Sequence, residues 1–160
     1  MHPNARLLEG LFTGLDQHNH VQMAACYHEN ATFRDIAFDL HGRKKIHAMW
    51  HMICQPEDRT SDIHVSYNIV EVDGVGAEVS LIDEYTFSST GRPVRNVIIS
   101  RFWFENNLIL FQQDACDPRA WAAMALGGLP GFLAGRIRLL RSLKAGCMLS
   151  DFLQTHPEYK

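Results

Sequence analysis

Hydrophobic positions along this chain recur first with a helical period and then with a strand period, and the change divides it. Leu7, Leu8, Leu11, Phe12 and Leu15 fall at i, i+3, i+4 spacing and predict one apolar stripe on a first helix over 5–16. Asn19 followed by Gln22 has the form of a capping box and opens a second short helix, which turns Met23, Ala24 and Tyr27 inward and stops near Asn30. Residues 31–35, ATFRD, read as a short strand with Ala31, Phe33 and Asp35 on one face. Gly42 precedes a third helix over 43–55, whose buried stripe is Ile46, Met49, Trp50 and Ile53 and which Pro56 ends. Past the polar loop 57–62 the period becomes two. Residues 64–73, 77–88, 94–105 and 108–117 predict four strands, joined at Asp73-Gly74, at Ser89 to Arg92 and at Glu105-Asn106-Asn107. Short turns between consecutive strands make an antiparallel meander.

Acids interrupt the apolar faces of these strands. Asp83 shares a face with Val79, Leu81, Tyr85 and Phe87, and Asp114 shares one with Leu108, Leu110, Gln112 and Cys116. A carboxylate on a core-side face costs several kcal/mol of desolvation unless it is solvated, paired or protonated. Asp35, Asp83 and Asp114 are therefore read as lining a cavity. The strand over 94–105 is apolar on both sides, with Asn96, Ile98, Ser100, Phe102 and Phe104 on one and Val97, Ile99, Arg101 and Trp103 on the other. Three helices can cover only one side of such a sheet, and a homodimer would cover the second.

After Pro118 the chain becomes helical again, over 121–126 and, past a Gly- and Pro-rich break at 127–131, over 132–153. Arg136, Arg138, Arg141 and Lys144 make one side of that last helix basic, and Ile137, Leu140, Leu143 and Cys147 make the other apolar. Such a helix can dock on its own domain, cross a dimer or lie on an acidic membrane. An acidic body makes docking the plainest of the three. Residues 1–118 carry 9 Lys and Arg against 16 Asp and Glu, whereas 119–160 carry 6 against 2. The acidic body also speaks against nucleic acid as partner, since phosphate binding needs a clustered basic face. Composition, at 46% hydrophobic and 21% charged, is that of an ordinary globular protein. The start lacks the pattern of a signal peptide, and no apolar run is long enough to span a bilayer, so a cytoplasmic location is expected. Cys26, Cys54, Cys116 and Cys147 form no CxxC pair and read as small buried hydrophobes. His47 and His51 stand one turn apart on the third helix. With no carboxylate at the neighbouring helical positions they read as half-exposed side chains, and no metal site is expected.

The run YHENATFRD, HGRKKI opening the third helix, TGRPV at a hairpin and SRFWFENNLI entering the last strand occur in an order that resembles the nuclear transport factor 2-like superfamily, also called SnoaL-like or ketosteroid isomerase-like. The resemblance covers residues 5–126. It implies an α+β fold, a curved antiparallel sheet wrapped around the N-terminal helices into a conical α+β barrel, with residues 127–160 as a C-terminal helical extension. It also implies a pocket closed by the helices and a convex face that dimerises. Set against ketosteroid isomerases, Asp35 falls on the proton-abstracting aspartate, Leu11 and Ser100 fall on the two oxyanion-hole positions, and Trp50 falls on a pocket tyrosine. The base is kept and the oxyanion hole is lost. Set against limonene epoxide hydrolases, Asp83 and Asp114 fall on the two catalytic aspartates, Asp35 on a water-positioning asparagine and Leu81 on the bridging arginine. SnoaL-type cyclases use an acid at the Asp114 position.

Carboxyls meeting in an apolar pocket with no cation between them cannot all ionise cheaply, and the mixed protonation that results suits acid/base chemistry. The expectation is an isomerase, cyclase, lyase or epoxide-hydrolase type of enzyme acting on a small hydrophobic carbonyl or epoxide, with Asp35, Asp83 and Asp114 catalytic. Trp50, Tyr85, Asn96, Ser100, Phe102, Gln112, Phe33 and Leu11 would line the pocket. No glycine-rich phosphate loop or ligand cluster implies a cofactor. The alternative is a non-catalytic binding or protein-interaction module of the same fold, favoured if the acids pair with Arg34, Arg95 or Arg101.

Overall fold

The computed structural model of the 160-residue chain describes residues 1–55, 62–87, 90–128 and 138–159, with side chains in the last stretch from residue 145 onward. Helix α1 (Pro3–Asp16) starts with proline in its first turn and the His2 ring accepting from the Asn4 N–H. Helix α2 (His20–Ala25) starts at Asn19, whose side chain accepts from the Gln22 N–H at 3.0 Å. The chain then runs through β1 (Tyr27–Arg34), β2 (Asp39–His41), α3 (Arg43–Cys54), β3 (His64–Val72), β4 (Gly76–Phe87), β5 (Arg92–Glu105) and β6 (Leu108–Cys116). Helices α4 (Pro118–Ala125) and α5 (Arg138–Thr155) and a closing 3-10 turn (Pro157–Tyr159) follow.

The six strands form one curved, unclosed sheet in the order β2-β1-β6-β5-β4-β3. β3 to β6 make the expected antiparallel meander. The β5–β6 hairpin turns on Asn106 and Asn107, both in the left-handed region at φ +52° and +58°. The pairing of the first strand was not assigned from the sequence: β1 runs parallel beside β6, the one parallel seam among the described strands. Strand β2, a three-residue partner of β1, was not expected, and α2 stops at Ala25, not near Asn30. Tyr27 accordingly begins a strand instead of continuing a helix.

The core lies between the concave side of the sheet and the helices. Leu8, Leu11, Phe12 and Leu15 of α1 and Ile46, Met49 and Trp50 of α3 meet Val79, Leu81, Ile98 and Phe102 there. Strict alternation fails in β6. Trp103 pairs with Phe111 but Phe104 pairs with Ile109, so Leu110 is an extra residue, a β-bulge. Ile109 thereby turns into the core, where the sequence pattern placed Leu110.

Helix α4 is capped by Asp117, which accepts from the N–H groups of Arg119 and Ala120. Helix α5 packs on α3, with Leu149 and Phe152 joining the core. Most of the residues expected to form its basic and apolar faces, from Arg136 to Lys144, lie outside the described side chains. Cys147, expected on the apolar face, is exposed. Among the described residues no helix is long and apolar enough to cross a membrane.

Phe102, 1% exposed, packs edge-on against Phe12 with ring centroids 6.2 Å apart and ties the sheet to α1. Phe102→Ala should cost about 3–5 kcal/mol in urea-induced unfolding, the usual loss for an aromatic side chain deleted from a packed core.

Candidate active site

The concave ends of β4, β5 and β6 carry the polar side chains that interrupt the core. Asp83 pairs across the β4–β5 ladder with Asn96, and Ser100 pairs across the β5–β6 ladder with Asp114. Asn96, Ser100 and Gln112 are buried, at 8%, 0% and 2% exposure. Asp35 stands just past the end of β1, where its side chain accepts from the N–H groups of Ala37 (2.6 Å) and Phe38 (2.5 Å) and holds the turn into β2. Asp114 links the three carboxyls: its charge acts on Asp83, and that of Asp35 acts on it.

A chain of hydrogen bonds leads from the helices to Asp114. The Trp50 indole N–H donates to the Tyr27 hydroxyl at 3.2 Å. That hydroxyl donates to Gln112 Oε1, and Gln112 Nε2 donates to both Asp114 oxygens at 3.0 and 3.1 Å. Tyr27 is fully buried, and the network fixes the Gln112 amide with its N–H groups toward the carboxylate. On the other side the Trp121 indole N–H donates to the Tyr85 hydroxyl at 2.8 Å, joining α4 to β4.

Burial pushes the Asp83 carboxyl up to about 7, and the charge of Asp114 raises it further. Burial also pushes Asp114 up to about 7; Gln112 and the neighbouring Ser100 hydroxyl pull the other way, and the charge of Asp35 adds to the rise. Asp35 is raised by burial against the opposing donation from Phe38 and Ala37. Asp83 and Asp114 thus hold their protons to higher pH than ordinary carboxyls do. Two buried polar atoms facing this cluster, Asp83 Oδ1 and Ser100 Oγ, have no hydrogen-bond partner of good geometry among the described residues.

The three arginines whose pairing would have neutralised the acids are engaged elsewhere. Arg34 pairs with Asp39 at 3.0 Å, Arg95 with Glu84 at 3.4 Å and Arg101 with Glu78 at 3.0 Å. Among the described residues no cation pairs with Asp35, Asp83 or Asp114.

Of the other residues expected to line the site, Leu11, Phe33 and Phe102 sit deep in the core, at 1%, 2% and 1% exposure. Trp50 packs edge-on against Phe33 and enters the site through its hydrogen bond to Tyr27. Two participants were missed. Tyr27 was hidden by assignment to a helix, although it stands at even, strand-like spacing from Ala31, Phe33 and Asp35. Cys116, read only as a small hydrophobe, is half-buried beside Asn96, and its thiol is pushed up to about 11, chiefly by burial and further by the charges of Asp35, Asp83 and Asp114. A separate groove of about 300 Å³, lined by Val21, Ala24, Ala25, Arg43, Lys44 and His47, opens on the outer side of α2 and α3, away from the acids.

A curved sheet around N-terminal helices with a polar cluster on its concave side defines the nuclear transport factor 2-like, or ketosteroid isomerase-like, fold. Within it, residues 8–111 match the SnoaL-like domain model, and the chain belongs to that family. Three similar solved structures carry the fold comparison. An LEH-like epoxide hydrolase from M. tuberculosis is 13% identical with a TM-score of 0.60, covering 82% of this chain and 95% of its own. A candidate polyketide cyclase from a Silicibacter species is 14% identical with a TM-score of 0.62, covering 76% and 93%. A candidate isomerase from Rhodopseudomonas palustris is 15% identical with a TM-score of 0.63, covering 80% and 98%. Comparison with curated proteins gives no match.

The raised carboxyls bind protons more tightly in the folded than in the unfolded chain, where their ordinary value is 3.8. Their contribution to stability is present below about pH 4 and is lost as pH rises toward about 7. Asp114→Asn removes one such group, so its stability relative to the native protein should improve as urea melts are moved from pH 4 to pH 8. A constant difference across that range would contradict the raised carboxyl.

Proposed function

We propose that the chain is a cofactor-independent acid/base enzyme acting on a small, largely hydrophobic epoxide or carbonyl compound. What supports it best is that Asp83 and Asp114, both pushed up to about 7 chiefly by burial, lie on β4 and β6 opposite Asn96 and Ser100 of the intervening β5, with no described cation paired to either. We assign Asp114, held through both oxygens by Gln112, as the base and Asp83, which the Asp114 charge raises, as the proton carrier. With an epoxide, Asp114 takes a proton from the attacking water as the C–O bond breaks, and Asp83 protonates the leaving oxygen. With a carbonyl compound, the same pair removes a proton from carbon and returns one, with Asp35 as a further carboxyl within reach. The neighbours described as an epoxide hydrolase, a cyclase and an isomerase fit this range of chemistry without choosing within it.

The proposal includes a cytoplasmic homodimer. Free cysteines suit a reducing compartment. Val97 and Trp103 of β5 are 52% and 40% exposed on the convex side, and Trp103 packs against Phe111 with centroids 5.1 Å apart. An apolar strip of this kind on a curved sheet suits a second copy.

Turnover of a panel of small epoxides and cyclic carbonyl compounds tests the reaction. Asp114→Asn and Asp83→Asn should each lower kcat/KM by about 10²–10⁴-fold, the usual contribution of a positioned acid or base. The native profile should be bell-shaped around neutral pH. Ligands that raise the Tm without being turned over, equally in native protein and variants, would instead mark a binding module. For the dimer, Trp103→Glu should convert a two-chain mass to a one-chain mass in light scattering.

A further inference from the structure

A second cluster of titratable groups lies where α2, α3 and the C-terminal segment meet. His20 opens α2, His47 and His51 stand one turn apart near the end of α3, and His156, Glu158 and Tyr159 follow α5. The His20 and His51 rings stack at 3.8 Å, and His20 Nδ1 lies 2.9 Å from His47 Nε2. His51 and His156 ring centroids are 5.1 Å apart. One donor atom each from His51, His156 and Glu158 can be chosen so that all three lie within 4.8 Å of one another.

The hydrogen bonds around two of these imidazoles prepare them as ligands. His156 Nδ1 lies 3.0 Å from the Phe152 carbonyl oxygen and 2.9 Å from Thr155 Oγ1. A carbonyl can only accept, so Nδ1 carries the proton and Nε2 presents its lone pair. The remaining neighbour of that nitrogen, Gln55 Nε2, is distant at 3.5 Å. His51 Nδ1 is held by the Tyr159 hydroxyl at 2.9 Å, and His51 Nε2 has no hydrogen-bond partner among the described residues. An imidazole whose second nitrogen is held by an oxygen is the usual arrangement around a bound transition metal.

We propose that His51, His156 and Glu158 form a binding site for a borderline divalent transition ion of the Zn²⁺ class, which clamps the C-terminal segment onto α3. Two imidazoles and a carboxylate, with a water in the open position, are a donor set such ions accept, and Mg²⁺ or Ca²⁺ would lack the oxygen ligands they require. Four-coordinate geometry needs neighbouring donors roughly 3.3 Å apart. Glu158 is exposed and free to close that gap. His20 acts through His51 by stacking on its ring, and His47 in turn holds His20 through the contact between His20 Nδ1 and His47 Nε2. The ligands are a hundred residues apart in sequence, so the ion would be a crosslink between the sheet-and-helix body and the chain's end. This site stands apart from the carboxyl cluster, and its test does not depend on turnover.

The full-length protein is titrated with Zn²⁺ against a chromophoric chelator and with Co²⁺ as a spectroscopic probe. One equivalent should bind, with visible d–d absorption from Co²⁺, and Zn²⁺ should raise the Tm. His156→Ala and Glu158→Gln should each weaken binding by at least about tenfold, since even outer partners of a metal site are worth that much. Glu158→Gln alters an exposed side chain and keeps the test valid if the histidine variant fails to fold. Absence of saturable one-equivalent binding, or binding and a Tm rise unchanged in Glu158→Gln, would overturn the proposal.

Discussion

Gln112 is a primary amide on the inward face of a central strand, 2% exposed, and a buried amide left without partners would cost on the order of 1–3 kcal/mol for each unmade bond. Its position determines much of what surrounds it. The amide oxygen is met by Tyr27, which requires β1 to run parallel beside β6 and to begin as early as residue 27. Tyr27 in turn accepts from Trp50, which fixes the α3 side of the core against the sheet. The amide nitrogen must then donate outward along the strand, and Asp114 is the acceptor in reach. Satisfying one polar group thus sets a strand's register, a helix's contact and the orientation of a carboxylate.

Charge is sorted by face in this sheet. On the outer side the acids come with partners, Glu78 with Arg101 and Glu84 with Arg95, in exposed pairs that contribute little to stability but leave those arginines occupied. On the concave side Asp83 and Asp114 have amides and a hydroxyl for neighbours in place of cations. Period-two alternation along β4 and β5 is enough to produce this division, since adjacent residues such as Asp83 and Glu84 face opposite ways.

Much of this was legible in the sequence. The meander, the three N-terminal helices and the faces of β4 and β5 follow from periodicity because a half-buried strand must alternate and a docked helix must carry a stripe. Asp83, Asn96, Ser100 and Gln112 could be placed together for the same reason. The parallel β1–β6 seam could not, since a pairing such as Tyr27 with Ile109, between strands at opposite ends of the domain's sequence, leaves no local trace. Tyr27 was misread because helix and strand patterns are indistinguishable over the few residues between Met23 and Asn30, and tertiary pairing decided between them. His20 and His156 escaped notice beside His47 and His51 because three separate elements bring them together.

The bulge at Leu110 has a bearing on kinship. It separates Ile109 and Gln112, both inward, by three positions where an unbroken strand would separate them by two. A cousin whose last strand is regular would therefore align correctly on one side of residue 110 and be out of phase on the other unless a gap is opened there. Ungapped, its inward residues before the bulge would be matched to outward residues here, and a shared ancestry of the pocket would read as a coincidence of unlike side chains.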